Sequence, residues 1–292
     1  MKIGLVTDST CDLSPDLMHE YGIEMVPLNI NFDDDHIYKD IIDINQEDFF
    51  NKLVEIEDKL PTTSQPAIGL FVEKYQKMAE KYDAIISIHL SGQLSGTCKS
   101  AMMAAKQIDD IKIEVIDSCS ASLGIGYQVV LARRLIDQGK ELQSIVENIK
   151  EAQKKIKIYF TVNDLSYLQK GGRIGKAQAF LGSVLNFYPI LDIQGEGAIL
   201  PFEKIRGKKK IARRLVELTL DELEGEEKAS LGFVHALEMK HFEEFKSNLL
   251  SELEKKDRDF IQKSSWISSV LGCHVGPSVY GIVIVKGEML DL

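Results

Sequence analysis

Two hydroxyl-rich turns hold the residues of this chain whose types and spacing suit chemistry. The first is Thr62-Thr63-Ser64-Gln65-Pro66. The second closes a β-branched run, Ile85-Ile86-Ser87-Ile88-His89-Leu90-Ser91-Gly92-Gln93-Leu94-Ser95-Gly96-Thr97, just before a helical pattern. A strand that empties into a tight loop and a helix start gathers unpaired backbone N–H groups, the positive end of a helix dipole and rotatable hydroxyl donors, a set that favours an anion. A carboxylate needs only two or three neutral donors aimed at one point beside an apolar space, and the Thr63 and Ser95 hydroxyls with nearby amides meet that need. Charge-assisted bonds contribute roughly 1.5–3 kcal/mol each and a buried alkyl tail about 0.8 kcal/mol per methylene, so a tail would dominate affinity and the hydroxyls would set orientation. The simpler reading is that both side chains cap the helices that follow them.

Other chemistries fit less well. A phosphate-binding P-loop requires Gly-Lys-Ser/Thr, whereas Gly96 precedes Thr97 and Cys98 with Lys99 displaced, and no Gly-x-Gly-x-x-Gly opens a helix. Ser95 lies in Gly92-Gln93-Leu94-Ser95-Gly96, which misses the Gly-x-Ser-x-Gly elbow, and His274 has no spacing that ties it to a serine. Asp33-Asp34-Asp35 lacks the alternation and glycine of a calcium loop and reads as a solvated turn. Cys11, Cys98, Cys119 and Cys273 are scattered without Cys-x-x-Cys spacing, so they read as reduced thiols, and neither a metal nor a cofactor is expected. An enzyme acting on a small acyl or phosphorylated substrate through His274 and Asp8 stays open as an alternative. So does a regulatory interaction protein that works through the basic run Lys204-Ile205-Arg206-Gly207-Lys208-Lys209-Lys210.

These side chains must be positioned by a large scaffold. At 292 residues and 44% hydrophobic, the chain suits two domains. A net charge of −10 argues against a nucleic-acid partner. No apolar run nears the roughly 18 residues that span a bilayer, and the N-terminus shows no signal-peptide pattern, so a cytoplasmic protein without stable membrane insertion is expected.

Short apolar strands at 2–7, 84–89 and 113–116 alternate with helices, the pattern of a parallel sheet in a three-layer α/β/α domain over residues 1–160, with its polar loops at the carboxyl ends of the strands. Residues 23–32 read as one strand broken by Pro27. The second domain, residues 161–292, reads as α/β with a mixed sheet. A strand at 156–161 leads into it at the boundary, and it has a hairpin around Gly195-Glu196-Gly197, strands at 230–234 and 279–285, and helices near 211–223 and 240–255. A helix over 176–187, apolar nearly all round through Phe180, Leu181, Val184 and Leu185, should be buried on more than one face, either as core or as the lining of an apolar tunnel.

Seven segments in order resemble the DegV family of bacterial fatty-acid-binding proteins, which includes the acyl-carrying subunits of bacterial fatty acid kinase. They are Asp8-Ser9-Thr10, Thr63-Ser64-Gln65-Pro66, Leu94-Ser95-Gly96-Thr97, Asp117-Ser118, Lys170-Gly171-Gly172-Arg173-Ile174, Lys204-Ile205-Arg206-Gly207 and Gly272-Cys273-His274-Val275-Gly276-Pro277. The resemblance implies a cleft that buries one long-chain fatty acid such as palmitate, stearate or oleate. Its carboxylate would be held by Thr63 and Ser95, with Ser64, Gly96, Thr97 and Arg173 in support. Arg206 and His274 would help present that carboxylate to the separate ATP-binding kinase subunit, which makes the acyl phosphate. Two departures stand out: Tyr188-Pro189 where the family often has Lys-Pro, and Gly276-Pro277-Ser278 where it has Gly-Pro-Gly.

Overall fold

The computed structural model describes residues 1–33, 36–56, 59–181, 186–256 and 259–292. β1 (Ile3–Asp8), all six residues buried, leads through a 3-10 turn at Ser9–Cys11 into α1 (Pro15–Glu20), which Ser14 caps and Pro15 opens. β2 (Ile23–Val26) returns parallel to β1. Pro27 has no N–H to give a ladder, and there the chain leaves the sheet. β3 (Asn29–Asn31) and β4 (Ile37–Lys39) precede α2 (Gln46–Val54), and β5 (Thr62–Ser64) then joins them in a small antiparallel sheet of order β4-β3-β5. After α3 (Ile68–Ala79) come β6 (Ala84–His89), α4 (Thr97–Ala105), β7 (Lys112–Asp117), α5 (Leu123–Asp137) and α6 (Leu142–Gln153). The parallel sheet has the order β2-β1-β6-β7. Because side chains alternate across a strand, Val6 and Ile85 meet α3 and α4 on one face, while Leu5, Ile86 and Ile88 on the other face join the central core that α5 crosses.

The second half opens with β8 (Ile156–Thr161), α7 (Ser166–Lys170) and a 3-10 turn at Gly175–Phe180. β9 (Phe187–Gln194), β10 (Ala198–Arg206), α8 (Lys209–Glu222), β11 (Lys228–His235), α9 (Met239–Glu254), β12 (Asp259–Trp266), α10 (Ser269–Val275) and β13 (Tyr280–Lys286) follow. They make a six-stranded sheet, β10-β9-β8-β13-β11-β12, antiparallel except where β11 and β12 run parallel. Phe233, Ile282 and Ile284 face a core shared with α8 and α9, and Ile158, Phe160, Ile193, Val234 and Val283 face the central core. The fold is thus α/β with a parallel sheet, a mixed sheet and the small antiparallel one. β8, where the sequence reading changes domain, pairs with β9 and β13 of the mixed sheet.

Several elements differ from the sequence reading. Residues 23–32 are two strands in two sheets, split at Pro27. The Thr63 turn is itself a strand, with Thr63 opposite Ile30. Of the helix expected over 176–187, the described part is a 3-10 turn, Gly175–Phe180, that opens at Gly175 in left-handed backbone (φ 51°) and ends at an extended Leu181, while Phe187 pairs with Arg206 in the β9–β10 ladder. Of that expected helix, Val184 and Leu185 lie outside the described residues, as do Asp34 and Asp35 of the acidic turn. The strand Asp259–Trp266 and the short helix Ser269–Val275 were not foreseen.

Candidate functional site

α10 packs against α2, β3 and β5, so it brings the second half of the chain onto the small sheet that holds Thr63. Ser268 caps it by accepting from the Leu271 N–H at 3.3 Å, and the Asp12 carboxylate accepts from the Ser268 N–H at 2.9 Å. His274 lies in its last turn and meets Thr63, with Nε2 2.8 Å from Thr63 Oγ1. Gly171 packs against the imidazole, where a Cβ would run into Nδ1. Burial, and then the positive charge of Arg173, lowers His274 to about 4, so the ring is neutral at neutral pH. Its Nδ1 is buried with no hydrogen-bond partner among the described residues. If Nε2 carries the ring proton and donates to Thr63 Oγ1, the threonine hydroxyl proton is free to donate elsewhere.

Ser95 sits in the loop after β6. Its N–H and that of Leu94 both donate to the Ser91 carbonyl, at 3.1 and 2.9 Å, and its hydroxyl lies 2.9 Å from Thr97 Oγ1 and accepts from the Thr97 N–H at 3.3 Å. Ser95 therefore does serve the helix start. Thr63 does not, because Ala67 stands at the head of α3 with no side-chain cap.

The loop is held from below by two carboxylates. Asp117 accepts from the N–H groups of Gly92 and Cys119 at 3.0 and 2.9 Å, and Asp8 accepts from the Leu90 N–H at 2.9 Å. Asp8 also bonds Thr10 and lies 3.0 Å from His89 Nδ1. Burial alone would raise the Asp8 carboxyl, yet His89, Thr10 and the Leu90 amide bring it below its ordinary value. Asp8 is fully buried and its partners are internal, which makes it a support for the loop.

Thr63, Ser95, Arg173 and His274 line one cavity between the two halves of the chain. Apolar side chains make most of its wall: Ile158, Ile193, Val234 and Val283 from the mixed sheet, and Val270 and Leu271 from α10. About 80 Å3 of it is open, several times the roughly 10–15 Å3 that one water-sized sphere needs, and so apolar a lining offers water few partners and favours an apolar guest. Arg173 donates from Nε to the Leu94 carbonyl at 3.1 Å and from Nη1 to the Gly171 carbonyl at 2.8 Å, which puts a cation beside the two hydroxyls and fastens the Ser95 loop to the second half. On the other side of Thr63, Arg173 and His274 lies a second cavity that also takes in Lys59 and Lys170.

The remaining expected residues that the structure describes fall outside this cavity. Ser64 is exposed and accepts from Asn29 Nδ2 at 3.2 Å. Gly96 and Thr97 form the start of α4, with Thr97 buried. Arg206 is exposed at the end of β10. Phe180 and Leu181 pack against the central core and line a separate cavity with Phe187 and Lys204, whose ammonium sits 4.7 Å from the Phe180 ring centre. The apolar lining of the main cavity comes instead from strand alternation and from α10, a stripe of Val270, Leu271, His274 and Val275 that the Ser268 cap could have signalled. Ser278 keeps its backbone out of the left-handed region and uses its hydroxyl to accept from the Asn163 N–H at 3.0 Å, so serine is accommodated there. Among the described residues no group of three or more His, Cys, Asp or Glu could hold a metal ion, and no helix is long and apolar enough to cross a membrane.

The site is thus a polar corner set on an apolar cavity in an α/β fold. Residues 2–287 match the model of a family described as "Uncharacterised protein, DegV family". A DegV domain-containing protein of Halalkalibacterium halodurans is 36% identical over 96% of this chain and 97% of its own length. Among solved structures, a DegV family protein from Thermus thermophilus described by its fatty acid binding superposes with a TM-score of 0.89 at 33% identity, covering 98% of this chain and all 100% of that one. DegV of Bacillus subtilis, described as a fatty acid binding protein, gives 0.87 at 34% identity over 98% and 99% of the two chains. The chain belongs to the DegV family.

Proposed function

We propose that this protein is a non-catalytic carrier that buries one long-chain fatty acid, such as palmitate, stearate or oleate, in the cavity between its halves. It presents the acid's carboxylate to the ATP-binding subunit of a fatty acid kinase, and so feeds phospholipid synthesis. One observation carries the reading: Thr63 and Ser95, on separate elements, share a cavity whose other walls are largely apolar, with the Arg173 cation and neutral His274 beside them. The hydroxyls orient the carboxylate, Arg173 offsets its charge, and the strand and α10 side chains bury the tail at about 0.8 kcal/mol per methylene. The second cavity, with Lys59 and Lys170, reaches the same Thr63, Arg173 and His274 from outside and gives the carboxylate a route to a phosphoryl donor. Exposed Arg206, with Lys209 and Lys210, supplies a basic surface for an acidic face of the kinase.

Mass spectrometry of the purified protein after denaturation tests the carrier reading. One fatty acid per chain is expected; a protein that carries none and takes up neither added palmitate nor added oleate contradicts it.

A further inference from the structure

Thr63 and Ser95 come from different elements, so something must fix how their two hydroxyls stand relative to each other. The two turns meet through one side chain. Gln65 Nε2 donates to Ser100 Oγ on α4 at 2.7 Å, and Ser100 is almost wholly buried. Gln65 Oε1 rests on Gly96, where an added Cβ would collide with it. Gln65 therefore reaches from the strand end that holds Thr63 across to both the residue that follows Ser95 and the helix that Ser95 starts. Pro66 confines the Gln65 backbone to extended conformations, so the side chain is presented across the gap at little entropic cost. None of this is needed for either element to form: β5 pairs with β3, and α4 packs on α3 and β7.

We infer that Gln65 is a positioning residue, a strut between the two turns that holds the Thr63 and Ser95 hydroxyls at the separation a carboxylate requires, with Ser100 and the bare Gly96 as its seat. The inference rests on the carboxylate-binding reading of Thr63 and Ser95. It explains why an exposed glutamine follows the Thr-Ser pair and why a glycine follows Ser95. Gln65 does not line the acyl cavity, so it acts on headgroup geometry alone and leaves the tail untouched.

The test compares binding of palmitate and of 1-hexadecanol, which keeps the chain and lacks the carboxylate, to the wild type, Gln65→Ala, Gln65→Met, Ser100→Ala and the Gln65→Ala/Ser100→Ala pair. Gln65→Met preserves length and bulk without the hydrogen bond. The expected result is a loss of about three- to tenfold in the acid-over-alcohol preference for each single variant, with hexadecanol affinity and Tm held and the pair no worse than the worse single variant. Equal weakening of acid and alcohol, additive losses in the pair, or an unchanged preference in Gln65→Met overturns the strut. A wild type that binds acid and alcohol alike overturns the carboxylate-binding reading itself, which separates that failure from failure of the strut alone.

Discussion

The polar corner and the apolar wall of the same cavity are built in opposite ways. The wall is regular: Ile158, Ile193, Val234 and Val283 occupy one face of paired strands, and their direction follows from register alone. The corner is irregular, and each donor in it is held by a separate device. Asp8 and Asp117 grip the loop before Ser95, Arg173 ties the Leu94 carbonyl, and the backbone approaches closely at Gly96 and Gly171. α10 joins the two, since its apolar stripe belongs to the wall and His274 to the corner. In the proposed carrier the wall supplies affinity and tolerates conservative exchange, whereas the corner supplies orientation and depends on groups far from the cavity.

The comparison breaks most directly at the wall. Val283→Trp fills the cavity at a stability cost of about 1–3 kcal/mol and displaces several methylenes of a bound tail, so palmitate affinity is expected to fall by about a hundredfold or more in a titration while the protein still unfolds cooperatively. Undiminished binding would mean that the tail lies elsewhere.

The helix that links wall and corner carries a pH signature. Asp40, buried against the start of α10, is raised by burial to about 7. An acid whose folded value lies above its unfolded one destabilises the fold as pH rises from about 4 through 7. Asp40→Asn is therefore expected to gain up to about 4 kcal/mol over the wild type at pH 8 and little at pH 4, read from urea unfolding at both pH values. A gain that does not change with pH would remove Asp40 from this account.

His274 acts in the opposite sense. Lowered by burial and by Arg173 to about 4, it weakens the fold as pH falls from about 6.5 to 4. His274→Gln should flatten that acid limb by up to about 3 kcal/mol, and a limb of unchanged steepness would show that another group causes it.

The smallest effect on lipid binding belongs to Arg206, which lies outside both wall and corner. Arg206→Glu should leave palmitate affinity within about twofold and weaken a salt-sensitive association with the proposed kinase partner. Loss of lipid binding in that variant would place Arg206 in the site.

Much of the corner was legible in the sequence because its devices are local. Hydroxyls, glycines and a proline at fixed spacing mark turns and helix starts wherever they occur, and the β-branched run before Ser91 marks β6. Which hydroxyl meets which partner was not legible. Thr63 pairs with His274, 211 positions away in the sequence, and only the folded small sheet and α10 bring them together. The sequence points to an apolar wall on the run 176–187, of which Val184 and Leu185 lie outside the described residues. The run from Ala177 to Leu181 is apolar enough to suggest a lining helix, yet Gly175 opens it in left-handed backbone and Leu181 is already extended, so the described part is a short turn. α10 escaped notice because it is only seven residues long and contains Gly272, so its helical period is too brief to register.

The central claim is that the Thr63 and Ser95 hydroxyls together grip an acid while the wall takes its chain. It is tested most directly by the affinities of palmitate and 1-hexadecanol for the wild type and for Thr63→Val/Ser95→Ala. The account predicts that the double variant loses about ten- to a thousandfold in palmitate affinity and almost nothing for the alcohol. Equal affinities for palmitate in the two proteins would contradict it.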